Sequence, residues 1–282
     1  MQLLLDFLPN STYTTQRFNQ QGQIYLTGAG RLPPRQIVNK FMDTLKLVQN
    51  HSQWLLSPQG RSTLAQKQRL LEFLLSGWPR RGHNVLEVGC ATGLFLEMLW
   101  EAGLDPTGIE DSPELLDSVR KHMGGKVDLH LGKYDSLPFD DDEFDYVALI
   151  STLDFIADPE PILHEAFRVA RQGLLVIFNN SWSLARLEKK TGRGPEEPRQ
   201  LDYICPLKIY SLLRRIVGKN GCCFRSTLLG PPNIWRENAP FAFINRPLTM
   251  LPFGAIAGVR IDIGPAVTGT LLPLSVGTPD PV

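Results

Sequence analysis

From residue 84 onward, short β-branched or leucine-rich runs alternate with stretches whose apolar positions recur at helical spacing. "NVLEVG" (84–89), "PTGIE" (106–110), "KVDLHLG" (126–132), "FDYVALIS" (144–151) and "GLLVIFNN" (173–180) predict strands. Between them, "GLFLEMLWEAG" (93–103), "SPELLDSVRKH" (112–122) and "DPEPILHEAFRVAR" (158–171) predict helices. Gly103 stops the first of these, and Ser112 followed by Pro113 opens the second. With two later strands (222–230 and 255–264), the pattern predicts an α/β, doubly wound, Rossmann-like sheet of seven mostly parallel strands, helices on both faces. Right-handed crossovers put the C-terminal strand ends along one edge, where ligands of such sheets bind.

The flanks are less regular. "STLAQKQRLLEFLLSG" (62–77) predicts a helix capped by Ser62 or Thr63 and ended by Gly77, with Leu64, Leu71, Leu74 and Leu75 on helical spacing. "RLPPRQIVNKFMDTLKLVQ" (31–49) predicts an amphipathic helix with Ile37, Phe41, Leu45 and Val48 on one face. After Asn180 come a charged helix and a Gly/Pro-rich loop (181–206), a helix (207–221), and a Pro- and aromatic-rich connection before the last strand. The expected division is a helical or irregular lid segment over 1–60 and one domain over 61–264. Lid insertions fall near 181–206 and 231–255, and a flexible tail occupies 265–282.

Composition narrows the classes. The chain has 282 residues, 43% of them hydrophobic, and 29 basic against 29 acidic residues, a formal net charge of zero. That balance removes the excess positive charge on which nucleic-acid binders rely. The cysteines, Cys90, Cys205, Cys222 and Cys223, form no CxxC pair or zinc spacing and suit a reducing compartment. "MQLLLDFLPN" lacks a basic leader region, and no apolar run reaches the roughly 20 residues that span a bilayer. The expected location is cytoplasmic, without stable membrane insertion. "DDDEFD" (140–145) lacks calcium-loop spacing and reads as a solvated turn, so no metal is expected.

The chemistry concentrates in "VLEVGCATG", Val85 to Gly93. Glu87 ends an apolar run, and the following turn holds Gly89, Cys90, Ala91 and Gly93, residues that tolerate close approach and positive φ. The next helix points its N-terminal dipole at the same place. Glu110 closes the second strand, where an acid accepts both hydroxyls of a ribose. A small-residue turn, a helix N-terminus and such an acid imply an adenosine-containing cofactor. A dinucleotide fingerprint wants G-x-G-x-x-G, whereas Ala91 and Leu94 stand at its second and third glycines.

"EVGCATG" resembles the first motif of the class I S-adenosylmethionine-dependent methyltransferases, among them the type 11 small-molecule enzymes, with one glycine changed to alanine. "GKYDSLPFDDDEFDYVALISTLDFIADPEPILHEAFRVARQGLLVIF" (132–178) resembles the family's third to fifth strands, with the "LPF" turn, the "FD" opening of strand four and the "DP" helix entry; the likeness covers roughly residues 60–230. It implies S-adenosyl-L-methionine as cofactor, with S-adenosyl-L-homocysteine as its product. Glu87 would bind the methionine part or order water beside it. Gly89, Cys90, Ala91 and Gly93 would bring the backbone to the cofactor. Glu110 would hold the ribose and Asp111 would flank the adenine. Lys133, Tyr134 and Asp135 would sit at the adenine edge. Lys133 departs from the acid common there, so either Asp135 reaches the adenine amine or the Tyr134 backbone N–H reads the ring. Ser151 and Thr152 would lie beside the methyl group.

The resemblance assigns no catalytic residue, because in-line transfer from a sulfonium needs a base only when the acceptor carries a proton. The acceptor should meet what is grafted on the sheet. Those segments hold Tyr13, Phe18, Tyr25, Trp54, Trp182, Tyr203, Trp235, Phe241, Phe243 and Phe253, and also Arg193, Arg199, Arg236 and Arg246. They predict a partly apolar pocket for a small, aromatic or hydrophobic acceptor, with no nucleic-acid partner and a monomeric or homodimeric protein. The competing readings are that the aromatics simply pack a lid, a methyltransferase of protein or nucleic acid, a non-catalytic cofactor-binding relative, and an NAD oxidoreductase.

Overall fold

The computed structural model describes residues 14–18, 24–27, 57–190, 203–218, 221–235 and 241–263. The expected helix within 31–49 and the tail over 265–282 lie outside these residues. Strands β1 (Thr14–Phe18) and β2 (Ile24–Thr27) pair antiparallel, a hairpin where the sequence pattern predicts no strand.

The first described helix, α1 (Pro58–Leu75), starts ahead of the expected position. Ser57 caps it, its hydroxyl accepting from the Gly60 N–H at 3.0 Å, and Pro58 takes the first turn, where its missing N–H costs nothing. Thr63, expected as a cap, lies on the buried face with Gln66, Leu70, Leu71, Leu74 and Leu75.

The main sheet is built from β3 (Asn84–Val88), β4 (Asp105–Glu110), β5 (Asp128–Leu131), β6 (Phe144–Ile150), β7 (Ala170–Asn179), β8 (Cys222–Thr227) and β9 (Ile256–Asp262). Its order is β5-β4-β3-β6-β7-β9-β8. The pairs from β5 through β7 are parallel, whereas β9 runs antiparallel to both β7 and β8. Helices α2 (Leu94–Glu101), α3 (Pro113–Met123) and α4 (Glu160–Val169) make the crossovers. Helices α5 (Leu184–Lys190) and α6 (Pro206–Val217) follow β7. Strand order reverses between β3 and β6, and the crevice at such a switch point is where doubly wound sheets bind ligands.

Alternation along the strands sorts the core into two layers. Leu86, Val88, Val147, Leu149, Leu174 and Val176 pack with α4 and α6. Val85, Tyr146, Ala148, Ile150, Leu175 and Ile177 pack with the leucines of α1. Trp78 seals the second layer, stacked on Tyr146 with ring centroids 4.3 Å apart. Glu87 shares the side of Val85, so its carboxyl faces the α1 layer. Among the described residues no helix is long and apolar enough to cross a membrane.

Candidate functional site

Glu87 sits one residue from the end of β3, paired with Gly108 of β4 and Ala148 of β6. It is 1% exposed, and its Oε2 has no hydrogen-bond partner. Burial, and then the charge of Glu110, push its carboxyl well above the usual carboxylate range. A buried polar atom without a partner is costly, so it needs an account. A cationic or hydrogen-bonding ligand at the switch point supplies one.

The turn after β3 is left-handed at Gly89 (φ 75°), Ala91 (φ 45°) and Gly93 (φ 78°). A Cβ at Gly89 would lie 2.5 Å from Thr152 Cγ2, so glycine is required there for space as well as for φ. Ala91 takes the same conformation with a methyl group, which costs about 1–2 kcal/mol, strain of the kind that persists at working sites. The N–H groups of Gly89, Cys90, Ala91 and Gly93 are engaged internally. Gly89 and Cys90 both donate to the Ile109 carbonyl, at 2.8 and 3.3 Å, and Gly93 donates to the Cys90 carbonyl at 2.8 Å. The turn therefore offers room more than N–H groups. Cys90 points inward beside Leu96, Val119 and Met123, and burial raises its thiol far above the ordinary range.

Glu110, 3% exposed at the end of β4, is densely solvated by the protein itself. Its Oε2 accepts from the Ala91 N–H at 2.8 Å. Its Oε1 accepts from the Tyr134 hydroxyl at 2.7 Å, the Asp111 N–H at 3.1 Å and the Ser112 N–H at 3.3 Å. Burial raises this carboxyl too, opposed by the Tyr134 and Ala91 donors. The two acids thus stand at the ends of neighbouring strands beside one turn.

The other expected residues divide. Asp111, Lys133 and Asp135 are exposed, and Lys133 forms an isolated bridge with Ser136. Tyr134 enters through its hydroxyl, on Glu110, a role that the sequence reading, concerned with its backbone, did not contain. Ser151 closes β6 in a left-handed conformation (φ 62°). Thr152 donates to the Val88 carbonyl at 2.6 Å and covers Gly89. Sequence reasoning also missed Lys67, whose Nζ donates to Ser151 Oγ at 2.6 Å from α1. Its signal was present: a lysine spaced four from Thr63 and from Leu71 falls on the buried stripe of the helix.

Around the same edge, Trp182, Leu187, Phe241, Phe243, Met250 and Phe253 are exposed, and Trp182 stacks on Phe253 at 6.5 Å. Asn180, fully buried, pins this rim by donating to the carbonyls of Pro252 and Gly254 and accepting from the Trp182 N–H. Trp235 instead belongs to the core, 4% exposed with its indole N–H on the Gly230 carbonyl. Tyr203 lies under the Arg186 guanidinium, and Arg246 is exposed. Tyr13, Trp54, Arg193, Arg199 and Arg236, and the side chains of Phe18 and Tyr25, fall outside the description. A groove of about 450 Å³ lies at the far edge, lined by strand beginnings such as Asn84, Asp105 and Asp128, away from these acids. Among the described residues no cluster of His, Cys, Asp and Glu could hold a metal ion.

Comparison with known proteins matches residues 86–178 to the Methyltransferase domain family. A ubiquinone biosynthesis O-methyltransferase from Hydrogenovibrio crunogenus is 30% identical over 113 residues, 39% of this chain and 47% of that protein. A phosphatidylethanolamine N-methyltransferase from Cereibacter sphaeroides is 35% identical over 123 residues, 40% of this chain and 60% of that protein. The chain thus spans about half the length of these curated relatives. In fold, it is similar to an S-adenosylmethionine-dependent methyltransferase from Thermotoga maritima, with a TM-score of 0.62 at 22% identity, covering 78% of this chain and 97% of that one. It is also similar to a magnesium protoporphyrin IX methyltransferase from Synechocystis bound to S-adenosylhomocysteine, with a TM-score of 0.58 at 12% identity, covering 82% and 100%. By sequence, residues 86–178 match the Methyltransferase domain family, and by strand order the sheet that carries the glycine turn between two acids has a fold similar to that of S-adenosylmethionine-dependent methyltransferases.

Proposed function

We propose that the protein methylates a small, apolar or aromatic acceptor with S-adenosylmethionine held across the ends of β4, β3 and β6. The observation that carries this reading is the pairing of Glu87, buried with an unpartnered Oε2, with a glycine cradle that a single Cβ would fill. A charged, partly flat ligand fits such a site, and a bare scaffold has no use for a buried acid of this kind.

When bound, the cofactor supplies an electrophilic methyl group on a positively charged sulfur. The chain contributes position and exclusion of water. Glu110 anchors the ribose hydroxyls from the end of β4. The left-handed turn at Gly89 and Ala91 makes room over β3. Ser151 and Thr152 wall the β6 side, and Thr152 is fixed there by its bond to Val88. The exposed apolar rim pinned by Asn180 borders the open side, where a poorly water-soluble acceptor can enter. Two relatives are named for ubiquinone biosynthesis and for phosphatidylethanolamine, which supports an acceptor with apolar character.

Isothermal calorimetry and thermal shift with S-adenosylhomocysteine and NAD, side by side, test the reading. S-adenosylhomocysteine at 100 times its Kd should add about 2.7 kcal/mol of stability. Stabilisation by NAD without stabilisation by S-adenosylhomocysteine would overturn it.

A further inference from the structure

We propose that Lys67 binds the carboxylate of the cofactor's amino-acid end, so that Lys67 and Glu87 together form a clamp for a zwitterion. The inference rests on the proposed function above and adds to it a site residue outside the region that matches the family.

The argument starts from the donors. An α-carboxylate in this crevice needs a cation or free N–H groups. Gly89, Cys90, Ala91 and Gly93 already spend their N–H groups on Ile109, Glu110 and Cys90. A side-chain cation is a further means, and α1 provides one. Lys67 Nζ stands 2.6 Å from Ser151 Oγ, and Ser151 closes β6. The next residue, Thr152, meets the space above Gly89.

Topology puts Lys67 and Glu87 on one side. Glu87 faces the layer packed by α1, and Lys67 extends from α1 itself. β3 and β6 are neighbours in the sheet, a separation of about 4.8 Å between strands. Across the sheet the order is Glu110 on β4, Glu87 on β3 and Ser151 just past β6. With the ribose at Glu110, the amino-acid end extends over β3 toward β6. Its α-ammonium then meets the unpartnered Glu87 Oε2, and its α-carboxylate meets Lys67. The signs match: acid to ammonium, ammonium to acid. The Ser151 hydroxyl, taking the bond from Nζ, orients the lysine before the ligand arrives.

Two ligands separate this role from a structural one. S-adenosylhomocysteine carries the amino-acid end, and 5′-methylthioadenosine lacks it while keeping adenine, ribose and sulfur. Calorimetry on wild type, Lys67→Met, Lys67→Gln and Lys67→Arg should show a selective effect. Lys67→Met and Lys67→Gln should weaken S-adenosylhomocysteine roughly 10- to 100-fold and leave methylthioadenosine within about twofold. Lys67→Arg should recover most of the loss. Lys67→Gln keeps the comparison available if the methionine variant does not fold. Equal loss for both ligands, or no loss for either, overturns the proposal while leaving the methyltransferase reading intact. Failure of the wild-type protein to bind either nucleoside overturns the methyltransferase reading, and this proposal with it.

Discussion

The Tyr134 hydroxyl donates to Glu110 Oε1 at 2.7 Å, placing a phenol on the carboxylate where a ribose is proposed to bind. With the N–H groups of Ala91, Asp111 and Ser112, that carboxylate accepts from four protein donors. A ribose must share or displace one of them, and the side-chain donor is the one that can rotate away. Tyr134→Phe should therefore strengthen S-adenosylhomocysteine binding about three- to tenfold while lowering the stability of the ligand-free protein by about 1–2 kcal/mol. Calorimetry and urea unfolding read the two effects. Weaker binding by the variant would mean that the hydroxyl stays within the bound site.

Glu87 sets a conflict between stability and binding. Burial, then Glu110, raises its carboxyl well above its ordinary value of 4.5, so the folded chain keeps a proton that the unfolded chain releases. Below 4.5 both states are protonated and this penalty is absent; as pH rises above it, the folded state loses stability relative to the unfolded one. Glu87→Gln removes the titration. At pH 7.5 the ligand-free Tm should rise, and the fall in Tm between pH 5 and 7.5 should flatten. S-adenosylhomocysteine should bind at least about tenfold more weakly, since its ammonium, which favours release of the Glu87 proton on binding, loses its carboxylate partner. An unchanged pH dependence of Tm would contradict the assignment.

Gly89→Ala combines two faults, a side chain at φ 75° and a Cβ 2.5 Å from Thr152 Cγ2. Destabilisation of about 2–4 kcal/mol is expected, with loss of S-adenosylhomocysteine binding. Thr152→Ser removes the methyl group and keeps the hydroxyl that bonds Val88. The double variant should recover part of the stability in a double-mutant cycle, and strict additivity would show that the methyl contact is not the obstacle.

Asn180 holds the rim from a fully buried position. Asn180→Ala leaves the Pro252 and Gly254 carbonyls without their side-chain donor and should cost about 2–4 kcal/mol by urea unfolding. Because the contacts to Glu87 and Glu110 do not pass through it, S-adenosylhomocysteine affinity at a temperature where the variant is folded should stay within about threefold. Hydrogen exchange should show opening concentrated over residues 249–254, and protection equal to wild type there would count against a pinning role.

The alternating pattern made the sheet legible because buried parallel strands and amphipathic crossovers have such different periods. The strands after 84 fall close to their expected places, including β9, although nothing in its composition announced its reversed direction. The start of α1 was readable in the pair Ser57-Pro58, a cap followed by a first-turn proline, yet the leucine spacing drew attention downstream. Trp235 shows the limit of judging aromatics by segment, because a loop residue reached the core through its backbone path. Glu87 and Glu110 were legible as acids toward the ends of their strands, where β3 and β4 hold them. Lys67 could be placed on the buried stripe of α1 by its spacing, but its partner Ser151, like Glu110 for the Tyr134 hydroxyl, lies across a long stretch of chain and is supplied only by folding.

The placement of β9 bears on how the protein is made. It pairs with β7 on one side and β8 on the other, yet it follows both in the chain. During synthesis, β7 and β8 emerge before residues 256–262, the strand that pairs with both, so the edges that β9 covers in the folded sheet lack that partner until then. The keystone of the sheet is therefore laid late, and a ribosome stalled shortly before it would expose two sticky margins to whatever chaperone or aggregate reaches them first.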